Sequence, residues 1–150
     1  MKLSLTQKAY IAGFLDADGS IYVRAKPNDT YRFGYQIAPY IVFYQSSKSE
    51  VFKNMYSLIP YGKVRIRKDG VTEFIISKRD DLIEFVKIVE PFLILKQKQV
   101  ALLKNILKEK ELVQNREDFE KILQLCNEFQ NLNYSKKRKI RTLVPVETEC

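Results

Sequence analysis

Helical and alternating hydrophobic patterns divide the chain into a series of helices and strands. A helical spacing covers about Thr6–Ala17, where Ser4 or Thr6 can cap the start and Gly19 ends the helix. Alternation then predicts a strand over Ser20–Lys26, and a run rich in Tyr, Ile, Val and Phe predicts a second strand over about Gly34–Gln45. The turn residues Pro27-Asn28-Asp29 after the first strand indicate an antiparallel hairpin.

The second half of the chain follows a similar plan without a convincing sequence repeat. Ser47 and Glu50 form a possible capping box for a helix with Val51, Met55, Leu58 and Ile59 at helical spacing. Lys68-Asp69-Gly70 joins two predicted strands, and three helices follow. These elements cover about Lys63–Arg67, Thr72–Ser77, Asp80–Val89, Lys98–Lys110 and Glu117–Leu132.

This order, αββαββα followed by further helix, predicts an α+β domain with antiparallel hairpins covered by helices on one face. We predict a single domain over residues 1–150 with a basic tail from about residue 135. Pro39 interrupts the second strand and predicts a bulge or an edge there, which would shift the register of the outward side chains.

The composition narrows the class of partner and of chemistry. The chain carries 26 Lys and Arg against 18 Asp and Glu, a net charge of +8, which favours polyanionic partners such as nucleic acid. No apolar run approaches the ~18–20 residues of a membrane span, and Thr6, Gln7 and Lys8 argue against a signal peptide. Two cysteines and no histidine exclude a disulfide scaffold and histidine-based catalysis, and they favour an intracellular, non-secreted setting, prokaryotic or organellar.

A stripe of small residues lies on one face of the first predicted helix. Ala9, Gly13 and Ala17 recur every four residues, and Ala12 widens the stripe. Such a face allows another backbone to approach closely. It fits either packing against the domain's own sheet or contact with the same helix of a second copy.

Asp16 and Asp18 lie at the C-terminal end of this helix, where the helix dipole disfavours carboxylates by several tenths of a kcal/mol. Two acids in that position suggest a nearby cation. Asp and Gly are also common at helix ends, so an ordinary turn explains an isolated D-x-D-G equally well.

The string Ile11-Ala12-Gly13-Phe14-Leu15-Asp16-Ala17-Asp18-Gly19 resembles the signature of the LAGLIDADG homing endonucleases. Further segments resemble the single-motif, homodimeric branch of that family, and the resemblance covers nearly the whole chain. They are Ala25–Asn28, Gln45, Pro91–Gln99 and Ser135–Lys139.

The resemblance implies a four-stranded antiparallel DNA-binding sheet and a homodimer that cuts double-stranded DNA with Mg²⁺, for which Mn²⁺ is expected to substitute. It implies a long, nearly palindromic site and 3′ overhangs. The two signature helices would meet through Ala9, Ala12, Gly13 and Asp16, and Asp16 would be the more structural acid. Asp18 and the Ala17 carbonyl match the metal ligands of the family.

Three other positions match or replace catalytic residues of the family. Gln45 and Lys96 match polar residues around the attacking water and the phosphate. Family relatives carry a basic residue where this chain has Ser49, so we expect Lys48 to substitute for it.

Side-chain alternation predicts which residues face the DNA. Bases would be read by the first hairpin and its loop, and by three residues of the second hairpin, whereas the basic tail would contact phosphates. The expected hairpin contacts are Ser20, Tyr22, Arg24, Lys26, Asn28, Arg32, Gln36, Tyr40, Tyr44, Arg65, Arg67 and Glu73. The expected tail contacts are Lys136, Lys137, Arg138 and Lys139.

Two other functions fit the same features. An RNA-binding maturase that assists intron splicing would also use a basic surface. A non-catalytic DNA-binding regulator would keep the fold without cutting, although the acids together with Gln45 and Lys96 argue against it.

Overall fold

A computed structural model describes residues 2–133 of the chain, so the predicted tail contacts at Lys136–Lys139 lie outside the described residues. The helices are α1 (Leu5–Asp18), α2 (Val51–Tyr56), α3 (Arg79–Val89), α4 (Gln97–Leu112) and α5 (Arg116–Asn133), with a 3₁₀ turn at Glu90–Phe92. The strands are β1 (Gly19–Pro27), β2 (Tyr35–Ser46), β3 (Lys63–Ile66) and β4 (Val71–Ile76). This is the predicted αββαββα order with two C-terminal helices.

The first helix is fixed at both ends by local chemistry. Ser4 caps it and forms a capping box with Gln7, in which each side chain accepts the other residue's backbone N–H. At the other end Gly19 is both the C-cap of α1 and the first residue of β1. A Cβ on Gly19 would lie 2.4 Å from Leu15 Cδ1 and 2.9 Å from the Leu15 carbonyl oxygen, so only glycine fits without movement.

The four strands form one antiparallel sheet in the order β1-β2-β4-β3. Asp69-Gly70 makes the predicted tight hairpin between β3 and β4, with Gly70 at φ +85°. One face of the sheet packs on the helices and supplies Ile21, Ile41 and Phe43 to the core.

Pro39 causes no bulge, so the predicted shift in register is wrong. The β1–β2 register is continuous from Gly19 opposite Phe43 to Pro27 opposite Tyr35. Pairing between β2 and β4 begins only at Ile41, so Pro39 lies where β2 is locally an edge. A missing N–H is tolerated at an edge, which confirms the second half of the prediction.

The capping box predicted for α2 is also wrong. Glu50 occupies the N-cap without a side-chain bond, and the Ser47 hydroxyl instead lies 2.8 Å from the Thr72 hydroxyl. Phe52 and Met55 are the buried residues of α2, whereas Val51 is 70% exposed. The helix is a short connector rather than an amphipathic element with Val51 in the core.

The C-terminal helices pack beside β1. Apolar residues of α5 at helical spacing are buried against the rest of the domain: Phe119, Ile122, Cys126 and Phe129. The Asn133 side-chain amide donates to the carbonyl of Ile21 at 2.9 Å, which joins the end of α5 to β1. Within residues 2–133, no helix is both long and apolar enough to cross a membrane.

Candidate active site

The two signature acids lie at the junction of α1 and β1 in different environments. Asp18 is exposed, and among the described residues its carboxylate accepts no hydrogen bond. Asp16 is half-buried and faces the segment that precedes α4. The structure therefore separates a free carboxylate from a structural one, as the resemblance implied.

Asp16 holds the segment between the 3₁₀ turn and α4. Its Oδ2 accepts the backbone N–H groups of Ile94 and Leu95 at 2.7 and 3.2 Å, and its Oδ1 accepts that of Lys96 at 3.1 Å. Charge-assisted bonds of this kind are stronger than neutral ones. The Asp16 carboxylate is thus engaged within its own chain, and its contact with a second copy stays a prediction.

Lys96 is brought to the acids by this arrangement. Its ammonium donates to the Asp16 carbonyl at 2.8 Å. A side chain about 80 residues later in the sequence thus satisfies a backbone carbonyl in the last turn of α1. Burial lowers the pKa of Lys96, while the negative charges of Asp16 and Asp18 act in the opposite direction. Lys96 also lines a cavity of about 670 Å³ that lies between β1 and the end of α5.

Gln45 lies near this junction on the helix side of the sheet. Phe43 of β2 pairs with Gly19, the residue that follows α1. Gln45 is two residues farther along β2 than Phe43, so its side chain is on the same face of the sheet. Its Oε1 accepts the N–H of Ser46 at 3.0 Å. Lys48 is exposed in the following turn, and among the described residues no hydrogen bond or ion pair joins it to Asp18 or Lys96.

The small-residue face of α1 is open in the single chain. Ala9, Gly13 and Ala17 are exposed, and a Cβ on Gly13 would meet nothing within 4 Å. The prediction that Ala12 lies in the dimer interface is wrong, because Ala12 is 0% exposed and lies on the core face of α1 with Leu15.

Sequence reasoning missed the large apolar residues beside this face. Leu5 and Tyr10 of α1 are 71% and 59% exposed, and Ile94 and Leu95 are 81% and 72% exposed. A non-periodic apolar run, Phe92–Leu95, was the available signal for the second pair. We call the surface formed by Leu5, Ala9, Tyr10, Gly13, Ala17, Ile94 and Leu95 the α1 face.

The face of the sheet opposite the helices carries the predicted polar side chains. Ser20, Tyr22, Arg24 and Lys26 of β1 share it with their partners in β2, and it continues across β4 to β3. We call this the outer face. Ala38 and Val42 also lie on it but are buried between larger neighbours.

Tyrosines and basic residues interleave on the outer face. The rings of Tyr22 and Tyr40 lie 5.2 Å apart, and the Lys26 ammonium donates to the Tyr40 hydroxyl at 2.7 Å. The Arg24 guanidinium lies over the Tyr22 ring at 5.5 Å. Burial, followed by the nearby Tyr44, raises the pKa of Tyr22, so its phenol remains a neutral donor at physiological pH.

Glu73 organises the arginines of the second hairpin. Its carboxylate lies 3.7 Å from Arg65 and 3.6 Å from Arg67, and Arg67 also contacts Asp69 at 2.5 Å. Glu73 is mostly buried, with 13% of its side chain exposed, whereas the Arg65 side chain is 70% exposed. The arginines thus present positive charge outward while Glu73 is engaged between them.

Two residues predicted to contact DNA also make structural contacts within the chain. The Asn28 side-chain oxygen accepts the backbone N–H and hydroxyl of Thr30, so it closes the β1–β2 loop. Arg32 donates to the Gln114 carbonyl at 2.8 Å and lies over the Phe33 ring. The Arg32 guanidinium is thus held by the turn between α4 and α5, and its contact with DNA stays a prediction.

Comparison with known proteins identifies this arrangement. Residues 11–107 match the sequence model of the family described as LAGLIDADG endonuclease, which is more than half of the chain. The chain belongs to the LAGLIDADG endonuclease family. The matched segment begins in α1 and ends in α4, so it includes both acids, Gln45 and Lys96.

Relatives of this LAGLIDADG chain include two named DNA endonucleases. It is 36% identical over 134 residues to DNA endonuclease I-CreI of Chlamydomonas reinhardtii, covering 87% of this chain and 80% of that protein. It is 31% identical over 101 residues to DNA endonuclease I-CvuI of Chlorella vulgaris, covering 67% and 63%. The chain is therefore a homologue of DNA endonucleases.

Solved structures of homing endonucleases have the same fold. The structure of I-CvuI in complex with its target in the presence of 2 mM Ca superposes with a TM-score of 0.81 at 27% identity, covering 89% of this chain and 86% of that chain. The structure of I-TnaI superposes with a TM-score of 0.73 at 28% identity, covering 95% and 97%. These matches confirm the predicted LAGLIDADG fold.

The donor chemistry at the end of α1 suits a hard divalent cation. Asp18 offers a carboxylate with no hydrogen-bonding partner among the described residues, and the last carbonyls of a helix, including that of Ala17, lack intrahelical partners. Magnesium prefers oxygen ligands and keeps several waters, so few protein ligands suffice. Within residues 2–133, no cluster of three or more acids, cysteines or histidines could hold a metal. The residues present fit a site completed by a second carboxylate and by phosphate oxygens.

Proposed function

We propose that the chain acts as a homodimeric, Mg²⁺-dependent endonuclease that binds a long, roughly palindromic DNA duplex and cuts both strands, leaving 3′ overhangs. The decisive observation is the junction at Gly19. There the free Asp18 carboxylate lies two residues before Ser20, the first residue of the polar outer face, and Lys96 lines the same cavity as Ser20. The candidate DNA-binding surface and the candidate cleavage site are thus adjacent in the sequence and in the structure.

The α1 face supports the dimer. It combines small residues that permit close helix contact with large apolar residues that remain exposed in the single chain. A twofold axis along this face would bring the ends of two α1 helices, and therefore two Asp18 side chains, together. Matching half-sites in the DNA follow from that symmetry.

Each residue of the junction has a separate proposed task. Asp18 and the Ala17 carbonyl would hold Mg²⁺, which when bound stabilises charge on the attacking and leaving oxygens of a phosphodiester. The Lys96 ammonium, held by the Asp16 carbonyl, would face the phosphate with its positive charge. Gln45 has a side-chain amide available to orient water, and the exposed Lys48 would add a more distant positive charge.

The proposal is tested with a library of randomised DNA duplexes, because the target sequence is unknown. Incubated with the full chain and Mg²⁺, a small subset is expected to be cut in both strands, with staggered ends and related half-sites revealed by sequencing. Chelator should abolish cutting, and Mn²⁺ should support it. An RNA-only maturase or a non-catalytic regulator would leave every duplex intact in Mg²⁺, and that result would overturn the proposal.

Gly13→Ala gives a separate test of the dimer. In the single chain the added methyl meets nothing, and replacing a helical glycine by alanine should raise the free energy of unfolding by about 1 kcal/mol. At a close helix–helix contact the same methyl should raise the dimer dissociation constant by at least about tenfold, equivalent to about 1.4 kcal/mol. Sedimentation measures the dissociation constant. Unchanged dimerisation would place the interface elsewhere.

The remaining expectations follow from the same proposal. The chain would act as one domain inside the cell, in a compartment that contains its target DNA. The basic residues of the tail, Lys136–Lys139, would add phosphate contacts to those of the outer face.

A further inference from the structure

The β1–β2 loop has a single defined shape set by its own hydrogen bonds. The N–H of Asn28 donates to the Gly34 carbonyl at 2.8 Å, and that of Tyr31 donates to the Asn28 carbonyl at 3.1 Å. Gly34 has φ +84°, a conformation that other residues rarely adopt. The loop therefore has a defined internal geometry, and its orientation on the domain is set by the residues that it contacts.

The loop rests on the beginning of α5 and on the turn before it. Arg32 Nη2 donates to the Gln114 carbonyl at 2.8 Å, across 82 positions of sequence, and its guanidinium lies 4.8 Å from the centre of the Phe33 ring. Phe33 stacks on Phe119 with ring centres 5.0 Å apart, and Tyr35 stacks on the same ring at 6.3 Å. Phe119 is itself buried, so it forms a fixed platform.

The turn that carries the Arg32 acceptor is rigid as well. Asp118 Oδ2 accepts the N–H of Gln114 at 3.1 Å, and Asn115 Oδ1 accepts that of Asp118 at 2.8 Å, which caps the start of α5. From α4, the Lys110 ammonium donates to the Ile37 carbonyl at 3.0 Å. The hairpin end is thus bound to the C-terminal helices by polar and aromatic contacts together.

This joint lies at the far end of β1 from Asp18. The eight residue steps from Gly19 to Pro27 span about 26 Å at about 3.3 Å each. That distance corresponds to about eight base pairs at about 3.4 Å per pair. If the outer face lies along a duplex, the loop meets the outermost base pairs of each half-site.

We propose that Arg32 is a positioning residue that sets base preference at the outer end of each half-site without contacting the bases. By fixing the loop on the α4–α5 turn, it orients exposed side chains at the hairpin tip, such as Tyr31, against the duplex. The inference rests on the proposed DNA recognition and adds to it a specific task for helices on the other side of the sheet.

A direct phosphate contact is the competing role for an exposed arginine beside DNA. The structure favours the tether because one donor of Arg32 is already bonded to a carbonyl and its plane covers Phe33. The two roles differ in their dependence on salt. The logarithm of the DNA-binding constant falls linearly with log[salt], and losing one phosphate contact makes that slope about 0.9 less steep. Losing a tether within the protein leaves the slope unchanged.

The experiment compares the wild-type chain with Arg32→Met, which keeps much of the side-chain stem and removes the guanidinium. Arg79→Met is the matched control, since Arg79 also donates to a backbone carbonyl at 2.8 Å, that of Leu107, in the α3–α4 region. Each full-length protein selects duplexes from a randomised library in Ca²⁺, and the bound fraction is sequenced. Binding constants of selected duplexes are then measured at several salt concentrations.

In the wild type, substitution of an outer base pair should weaken binding about tenfold, and in Arg32→Met only about twofold, with the central preference unchanged. Phe33→Leu should lose preference at the same outer positions, since it weakens the same joint through a different contact. Arg79→Met should lose none.

Three results would overturn the inference. An unchanged Arg32→Met profile would refute the tether, and a lowered salt slope would make Arg32 a phosphate ligand. If Arg32→Met and Arg79→Met both lost base preference equally at all positions, the two arginines would serve only the general stability of the protein. A wild-type chain that selects no sequence would refute the proposed function itself.

Discussion

In the Asp18→Asn variant, the rate of double-strand cleavage should fall by at least about a thousandfold while the affinity for the duplex stays within about threefold. Asparagine has nearly the same shape as aspartate but lacks the charge that a hard divalent cation requires. Asp18 makes no hydrogen bond to the described residues, so its replacement leaves the fold intact. Removing a negative charge beside DNA phosphates also relieves repulsion, so binding has no reason to weaken.

The measurement is single-turnover cleavage of a duplex obtained from the randomised library, with binding measured separately in Ca²⁺. Asp80→Asn is the control, because Asp80 is an exposed acid in the first turn of α3. It should cleave at the wild-type rate. Normal cleavage by Asp18→Asn would contradict the assignment of this carboxylate to the metal.

Asp16→Ala should have the second-largest effect, and it should act on stability as well as on cleavage. The substitution leaves three backbone N–H groups, those of residues 94–96, without their carboxylate. The bonds are partly exposed, so we expect a loss of about 2 kcal/mol in the free energy of unfolding rather than the full sum. The melting temperature should fall by about 6 °C. Cleavage should fall about a hundredfold, because the Lys96 backbone loses its bond to the carboxylate and the segment that positions Lys96 beside Asp18 is released, although the carbonyl of residue 16 remains.

Thermal unfolding and single-turnover cleavage measure the two effects. Asp29→Ala is the control, since Asp29 is an exposed acid of the β1–β2 loop. Asp16→Asn should lose less stability and less cleavage activity than Asp16→Ala, because its amide oxygen can still accept some of the three backbone hydrogen bonds. If Asp16→Ala kept wild-type stability and cleavage, the clamp between α1 and the segment before α4 would have no functional role.

Features that depend on near neighbours were predictable from the sequence. The capping of α1 by Ser4, the Asp-Gly hairpin and the buried stripe of α5 each follow from residues within a few positions of one another. The alternation of β1 also correctly separated the outer face from the core face. The identity of Asp18 as the free acid came from the resemblance rather than from spacing.

The errors arose where a distant segment determined the outcome. Ser47 was assigned to a capping box, but its hydroxyl bonds to Thr72 of another strand. The turn before α5 supplies an acceptor for Arg32 that no neighbouring residue indicated. Ala12 was assigned to the small-residue stripe, but the core lies on its side of α1. Local patterns cannot reveal which distant group will come into contact.

Gly19 fixes the distance between the proposed cleavage site and the strand that would bind DNA. The proposed cutting carboxylate is the last residue of one helix, and the strand that would read DNA begins at the next peptide bond, with no hinge between them. The offset from the severed linkage to the first recognised base pair is therefore set by covalent geometry. Replacing side chains farther along the strand to select another sequence should leave the stagger of the cut ends unaltered.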